Sequence, residues 1–82
     1  MNADYYFKEA AKKCISGDLP QAVLLVKKGL TLTPDHYNCR FTQGVIMFKL
    51  GLVCESASDF YKLTLLNTHE ASVYLNLAIC LI

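Results

Sequence analysis

The sequence predicts an all-α chain of five helices, folded as antiparallel hairpins and stacked as an α-solenoid. Two observations carry that prediction. Small residues and turn residues return in register every 34 positions: stepping by 34 from Ala10 reaches Gly44 and then Ala78, from Gly17 reaches Gly51, and from Ala22 reaches Ser56. A fixed period of this size marks a stacked repeat array, in which each unit buries its apolar face only against its neighbours. Apolar residues also recur at helical spacing along most of the chain, and no strand pattern of comparable length interrupts them.

The first helix is expected over 4–16, with Phe7, Ala10, Ala11, Cys14 and Ile15 on its apolar side and Lys8, Lys12 and Lys13 on the others. Ser16-Gly17-Asp18 breaks it: the glycine supplies a left-handed stop, and Asp18 can cap the second helix. Pro20 sits near the start of that helix, where a missing N–H costs little. Ala22, Val23, Leu25, Val26, Leu30 and Leu32 form its stripe, and Thr33-Pro34-Asp35 ends it. The pattern then restarts. A third helix is expected over 37–50, stopped by Gly51, and a fourth over 54–66, with Ala57, Phe60, Tyr61, Leu63 and Leu66 inward and a stop near Asn67-Thr68. A fifth opens at Glu70 or Ala71 and is still running at Ile82.

Eighty-two residues make one small domain, able to bury roughly 60 to 65% of its unfolded surface. With 54% apolar and 18% charged residues, the chain holds more apolar side chains than its own core accommodates, so surface is buried against something else or the chain is a piece of a longer array. The net charge is +1, and Lys12-Lys13 and Lys27-Lys28 are the only basic clusters, which argues against nucleic acid as a partner. No apolar stretch reaches the roughly 18 residues of a membrane span. Cys14, Cys39, Cys54 and Cys80 are evenly spread with no Cys-x-x-Cys, and there is no signal-peptide pattern, so they read as free core thiols of an intracellular, cytoplasmic protein.

The segment Gly17-Asp18-Leu19-Pro20-Gln21-Ala22-Val23, followed by Leu30-x-Leu32-x-Pro34, resembles the second half of a tetratricopeptide repeat. The family's glycine turn, small residue early in helix B, large apolar residue four later, further small residue and closing proline read here Gly17, Ala22, Val26, Gly29 and Pro34. The second unit offers Gly44, Gly51, Ser56, Phe60, Leu63 and Thr68; the third offers Tyr74, Leu77 and Ala78 in the spacing of the family's opening aromatic-x-x-Leu-Gly/Ala motif. The resemblance divides the chain into one repeat at about 3–36, a second at about 37–70, and helix A of a third at about 71–82. It implies that Ala10, Gly44 and Ala78 on helix A face Ala22 and Ser56 on helix B, where only small side chains let the axes approach. Glu9, Lys13, Arg40 and Gln43 depart from it, standing where the family carries apolar or aromatic residues.

The resemblance further implies a concave groove lined by the A helices. Three ladders run along or beside it: Phe7/Phe41/Leu75, Ala11/Val45/Ile79 and Cys14/Phe48/Ile82, all apolar. The expected partner is a protein, presenting an apolar or amphipathic helix or an extended segment. The residues expected to bind it are Phe7, Ala11, Phe41, Val45, Leu75 and Ile79, with Lys8, Thr42 and Asn76 orienting it; the competing reading is that the ladders merely pack one repeat on the next. Family members that clamp acidic chaperone tails use Lys, Asn and Arg at positions matching Phe7, Ala11, Thr42, Ser72 and Asn76, and with only Asn76 of that type a carboxylate clamp is disfavoured.

Nothing in the sequence points to an enzyme, a cofactor or a metal. His36 and Cys39 form a lone His-x-x-Cys with His69 in the equivalent next turn, and both histidines read as exposed loop residues. Ser16, Ser56, Ser58 and Ser72 lack a neighbouring His/Asp arrangement. The carboxylates Asp4, Glu9, Asp18, Asp35, Glu55, Asp59 and Glu70 are expected at helix starts and turns, as caps. The fifth helix is apolar on most faces and must be covered. The expectation is therefore the N-terminal part of a longer array, or self-association through this uncapped helix. Two functions are compatible with it: an interaction scaffold that holds a protein segment in its groove, or a structural repeat built permanently into a cytoskeletal or ciliary assembly.

Overall fold

The computed structural model describes residues 1–66 and 70–82. All regular structure among these residues is helical: α1 (Ala3–Ser16), α2 (Leu19–Leu32), α3 (Tyr37–Lys49), α4 (Val53–Thr64) and α5 (Ala71–Leu81). The stop expected at Asn67-Thr68, the family position at Thr68 and the loop reading of His69 lie outside the described residues.

The 34-residue period reappears in the backbone. α1, α3 and α5 begin at Ala3, Tyr37 and Ala71, and α2 and α4 at Leu19 and Val53. The residues preceding α1 and α3 also share a role although their chemistry differs. Asn2 accepts the Tyr5 N–H through Oδ1 at 2.9 Å, and His36 accepts the Cys39 N–H through Nδ1 at 3.2 Å. Glu70, 34 residues on, occupies the same position before α5. His36 is thus a half-buried helix cap, where the sequence suggested an exposed loop histidine.

The two turns match bond for bond. The Gly17 N–H donates to Cys14 O and the Asp18 N–H to Lys13 O; the Gly51 N–H donates to Phe48 O and the Leu52 N–H to Met47 O. Both glycines are left-handed, at φ 86 and 81, and in both the volume a Cβ would occupy is open. Gly17→Ala and Gly51→Ala are therefore each expected to cost about 1 kcal/mol through the backbone alone, nearly equally, when urea midpoints are compared. A much larger cost at one turn would show that the two are not equivalent.

Each helix packs on its neighbour in sequence, and α1 also touches α3. The short turns between α1 and α2 and between α3 and α4 make those pairs antiparallel. The result is a compact helical packing, 33 × 25 × 17 Å in extent. Its core has two centres. Ala10, Ala22, Val26 and Ile46 form one, and Phe60, Leu63 and Val73 form the other, flanked by Tyr37, Phe41, Val45, Leu77 and Cys80. Gly44 is pressed against α4: a Cβ there would lie 2.8 Å from Phe60 Cζ, and the Ser56 hydroxyl donates to Gly44 O at 2.6 Å. Ala78 breaks the series. It is exposed; among the described residues α5 packs on α4 through its other face, with Val73, Leu77 and Cys80.

Several expected inward residues face outward. Ile15, Leu32, Tyr61 and Leu66 are exposed. On α4 the buried stripe is Ser56, Asp59, Phe60 and Leu63, spaced i, i+3, i+4, i+7, which rotates Tyr61 and Leu66 away. α4 ends at Thr64, two residues before the expected boundary, where the Leu65 and Leu66 N–H groups donate three residues back to Lys62 O and Leu63 O in a tightened last turn. Of the four cysteines, Cys39 is buried, Cys14 and Cys80 are half-buried, and Cys54 is exposed rather than a core thiol; all are free.

Candidate functional site

α1, α3 and the start of α5 enclose a groove of about 300 Å³. Phe7, Tyr37 and Phe41 make its apolar wall, while Asn38, Thr42, Ser72 and Glu70 supply polar groups at its edge. The helical period brings these side chains together: Tyr37 and Phe41 are four apart on α3, as are Asn38 and Thr42, and the two pairs lie side by side. Tyr37 stacks on Phe41 with ring centroids 6.1 Å apart, and Phe41 meets the buried Phe60 edge-on at 5.4 Å. Phe7 lies 6.5 Å from the His36 ring, whose Nε2 is 3.8 Å from Asp4 Oδ1. Phe41 thus serves two ends, lining the groove and packing against the core ring of Phe60.

Of the residues singled out in the sequence, Phe7, Phe41 and Thr42 line this groove. Val45 packs partly into the second core cluster, and Ala11 is half-buried. Lys8 points to solvent and pairs with Asp4 at 3.5 Å, so it does not border the groove. Leu75 and Ile79 are exposed on α5, and the Asn76 amide is engaged with Ser72 O at 2.6 Å. The groove residues Tyr37, Asn38 and Glu70 were not singled out. Their signal was spacing, since 37 and 38 lie one turn before 41 and 42, and Glu70 lies 34 after His36.

A second, polar cavity of about 200 Å³ lies between α2, α3 and α4. Its floor accounts for two departures from the tetratricopeptide pattern. Arg40 and Gln43 of α3 both reach Asp59 of α4: Arg40 Nη1 is 3.2 Å from Oδ1, and Gln43 Nε2 lies 3.1 Å from each oxygen. The second guanidinium nitrogen of Arg40 donates to Pro34 O at 3.1 Å, so the side chain also holds the loop before α3. Asp59 is buried, and not at a helix end as the sequence suggested. Burial pushes its carboxyl above the ordinary carboxylate value, against the hydrogen bonds from Gln43 and Arg40 and the charges of Arg40 and Lys62. Gln43 Oε1 is buried with no hydrogen-bond partner among the described residues.

The chemistry around the thiols is quiet. Burial pushes the Cys39 thiol up, with Asp4 adding to it, and burial pushes the Cys14 thiol up against the pull of Lys49, so neither is poised as a thiolate nucleophile. Among the described residues no group of three His, Cys, Asp or Glu is placed to hold a metal ion. No helix among them is long and apolar enough to cross a membrane. Comparison of the chain with protein-family models, with curated proteins and with solved structures found no match.

Proposed function

We propose that this chain is a tetratricopeptide-type α-solenoid unit acting as a non-enzymatic interaction scaffold, with the α1–α3–α5 groove receiving an apolar or amphipathic segment of a protein partner. The single observation that supports the groove reading is the aromatic wall of Phe7, Tyr37 and Phe41, open to solvent between polar groups that can orient a backbone or a side chain. The solenoid reading is supported by the recurrence at 34 residues of helix starts, caps and left-handed glycines. It is supported too by the buried positions of α2 and α4, where Ala22, Val26 and Gly29 answer to Ser56, Phe60 and Leu63.

Phe7 is the residue with which to test it. Phe41 packs against Phe60, so its replacement would disturb the core as well as the groove. Peptides are to be selected on the wild-type chain from a displayed library of amphipathic helices and tested by calorimetry against Phe7→Glu and Thr42→Arg. The expected result is a loss of affinity of at least about tenfold with an unchanged helical circular dichroism spectrum. Selected peptides that bind both variants as well as the wild type would exclude this groove.

A further inference from the structure

The groove between α1, α3 and α5 discriminates by charge. Its volume of about 300 Å³ is less than one turn of a helix would fill, at about 10 Å across and about 5.4 Å in pitch. A bound segment therefore enters it by a side chain and not as a whole. Phe7, Tyr37 and Phe41 form the wall that side chain meets, and among the described residues no cation borders it. Lys8 of α1 pairs instead with Asp4 at 3.5 Å. The charged group at the rim is the carboxylate of Glu70.

Aromatic faces attract a cation and repel an anion, and the carboxylate acts in the same sense. The starts of α3 and α5 act against them, each with about half a unit of positive charge. At α3 that end is met by His36 Nδ1, which accepts the Cys39 N–H at 3.2 Å. At α5, Glu70 itself stands in the capping position with a full negative charge. The balance favours a cation. The rim also favours a donor, since the side-chain oxygens of Asn38, Thr42 and Ser72 can accept alongside Glu70. A guanidinium suits this setting better than an ammonium: it is flat, more weakly hydrated, stacks on aromatic rings, and carries five N–H donors with no acceptor. Tyr37 and Phe41, with ring planes 22° apart, give it a wall to lie against.

Resting on the assignment of this groove as the binding site, we propose that it takes an arginine side chain of the bound segment. The arginine stem and guanidinium lie along Phe7, Tyr37 and Phe41, and the N–H groups donate to Glu70. The rest of the segment stays outside, over the polar rim.

Amphipathic helical peptides selected on the wild-type chain from a displayed library are the probes. Those whose binding is lost in Thr42→Arg are expected to carry an arginine. Replacing it with citrulline, which keeps the shape and removes the charge, should weaken calorimetric affinity at least about tenfold. The same replacement should cost clearly less against Glu70→Gln, a variant that gives up no capping hydrogen bond, and wild-type affinity should fall as salt is added. Peptides that need an open Thr42 side but bind equally well with citrulline, or that carry an acidic residue in place of the arginine, would overturn the arginine site and leave the groove standing. An equal citrulline penalty in wild type and Glu70→Gln would overturn the contact with Glu70. A selection yielding only peptides indifferent to Thr42→Arg would remove the groove, and the arginine site with it.

Discussion

Gly44→Leu is expected to remove on the order of 4 kcal/mol of stability, a large part of what a chain this size has. The reason is contact. A Cβ at this position already falls 2.8 and 2.9 Å from two atoms of the Phe60 ring, which is itself 1% exposed and has nowhere to retreat. Overpacking of this kind costs about 1–3 kcal/mol, and parting the helices would break the buried Ser56–Gly44 hydrogen bond, worth about 1 kcal/mol more. The α1–α2 pair shows the compensating solution, for there Ala10 is matched with Val26 in place of Gly44 with Phe60. Gly44→Ala and Phe60→Val are therefore expected to destabilise singly, by about 1–3 and 2–3 kcal/mol. Combined, they should cost clearly less than their sum. Urea denaturation of the four proteins measures the coupling, and strict additivity would disprove the close contact.

The second large effect is expected at the buried ion pair. Arg40→Met leaves the Asp59 carboxylate buried with its main charge partner gone, which should cost about 3–5 kcal/mol near neutral pH; the two side chains are only 17% and 5% exposed. Arg40→Tyr combined with Asp59→Leu restores the residues that stand 34 positions earlier, Tyr6 and Leu25, and should recover most of that loss. The dependence on pH has a definite sign. Because burial raises the Asp59 carboxyl above its unfolded value, the folded chain holds this proton more tightly than the unfolded one. The resulting stabilisation is full below the ordinary carboxylate range and is lost as pH rises through the raised value. Removing Arg40 takes away a charge that lowers that value, so the deficit of Arg40→Met should be smallest in acid and grow toward neutrality. A deficit independent of pH would show that Asp59 does not titrate as described.

The helices and turns were legible in the sequence because their signals are local. Gly17 and Gly51 mark the two turns, Asp18 caps the helix after the first, and the five helices begin within a residue or two of the expected positions. What the pattern concealed was the facing of α4. Asp59 occupies a stripe position, and a carboxylate there reads as solvent-facing until Arg40 and Gln43, 19 and 16 residues away, are known to meet it. A stripe drawn without that knowledge runs through Tyr61 and Leu66, both exposed. Leu32 and Ile15 mislead for a simpler reason: they sit in last turns, where the core has tapered away. The groove was legible in part. Phe7, Phe41 and Thr42 line it, whereas Lys8 belongs to a solvent-facing pair with Asp4 and Asn76 is taken up by its own helix.

The packing of each helix on its neighbour in sequence also bears on how the chain reaches this state. Contacts that close short loops cost little chain entropy before they are rewarded, and helical proteins dominated by them fold in roughly microseconds to milliseconds. α1 with α2 and α3 with α4 each bring a turn and a small residue at the crossing, while each core cluster borrows one residue from the next element, Ile46 of α3 in the first and Val73 of α5 in the second, so either hairpin can form first and template the other. Bonds between elements farther apart in sequence add to this: Cys39 Sγ reaches Ala3 O of α1 at 3.4 Å, and Arg40 bonds both Pro34 O and Asp59, tying the loop before α3 to α4. That side chain adds a polar tie to the junction that Ile46, packed with Ala10, Ala22 and Val26, already closes in the core, so the two hairpins open together as one cooperative unit.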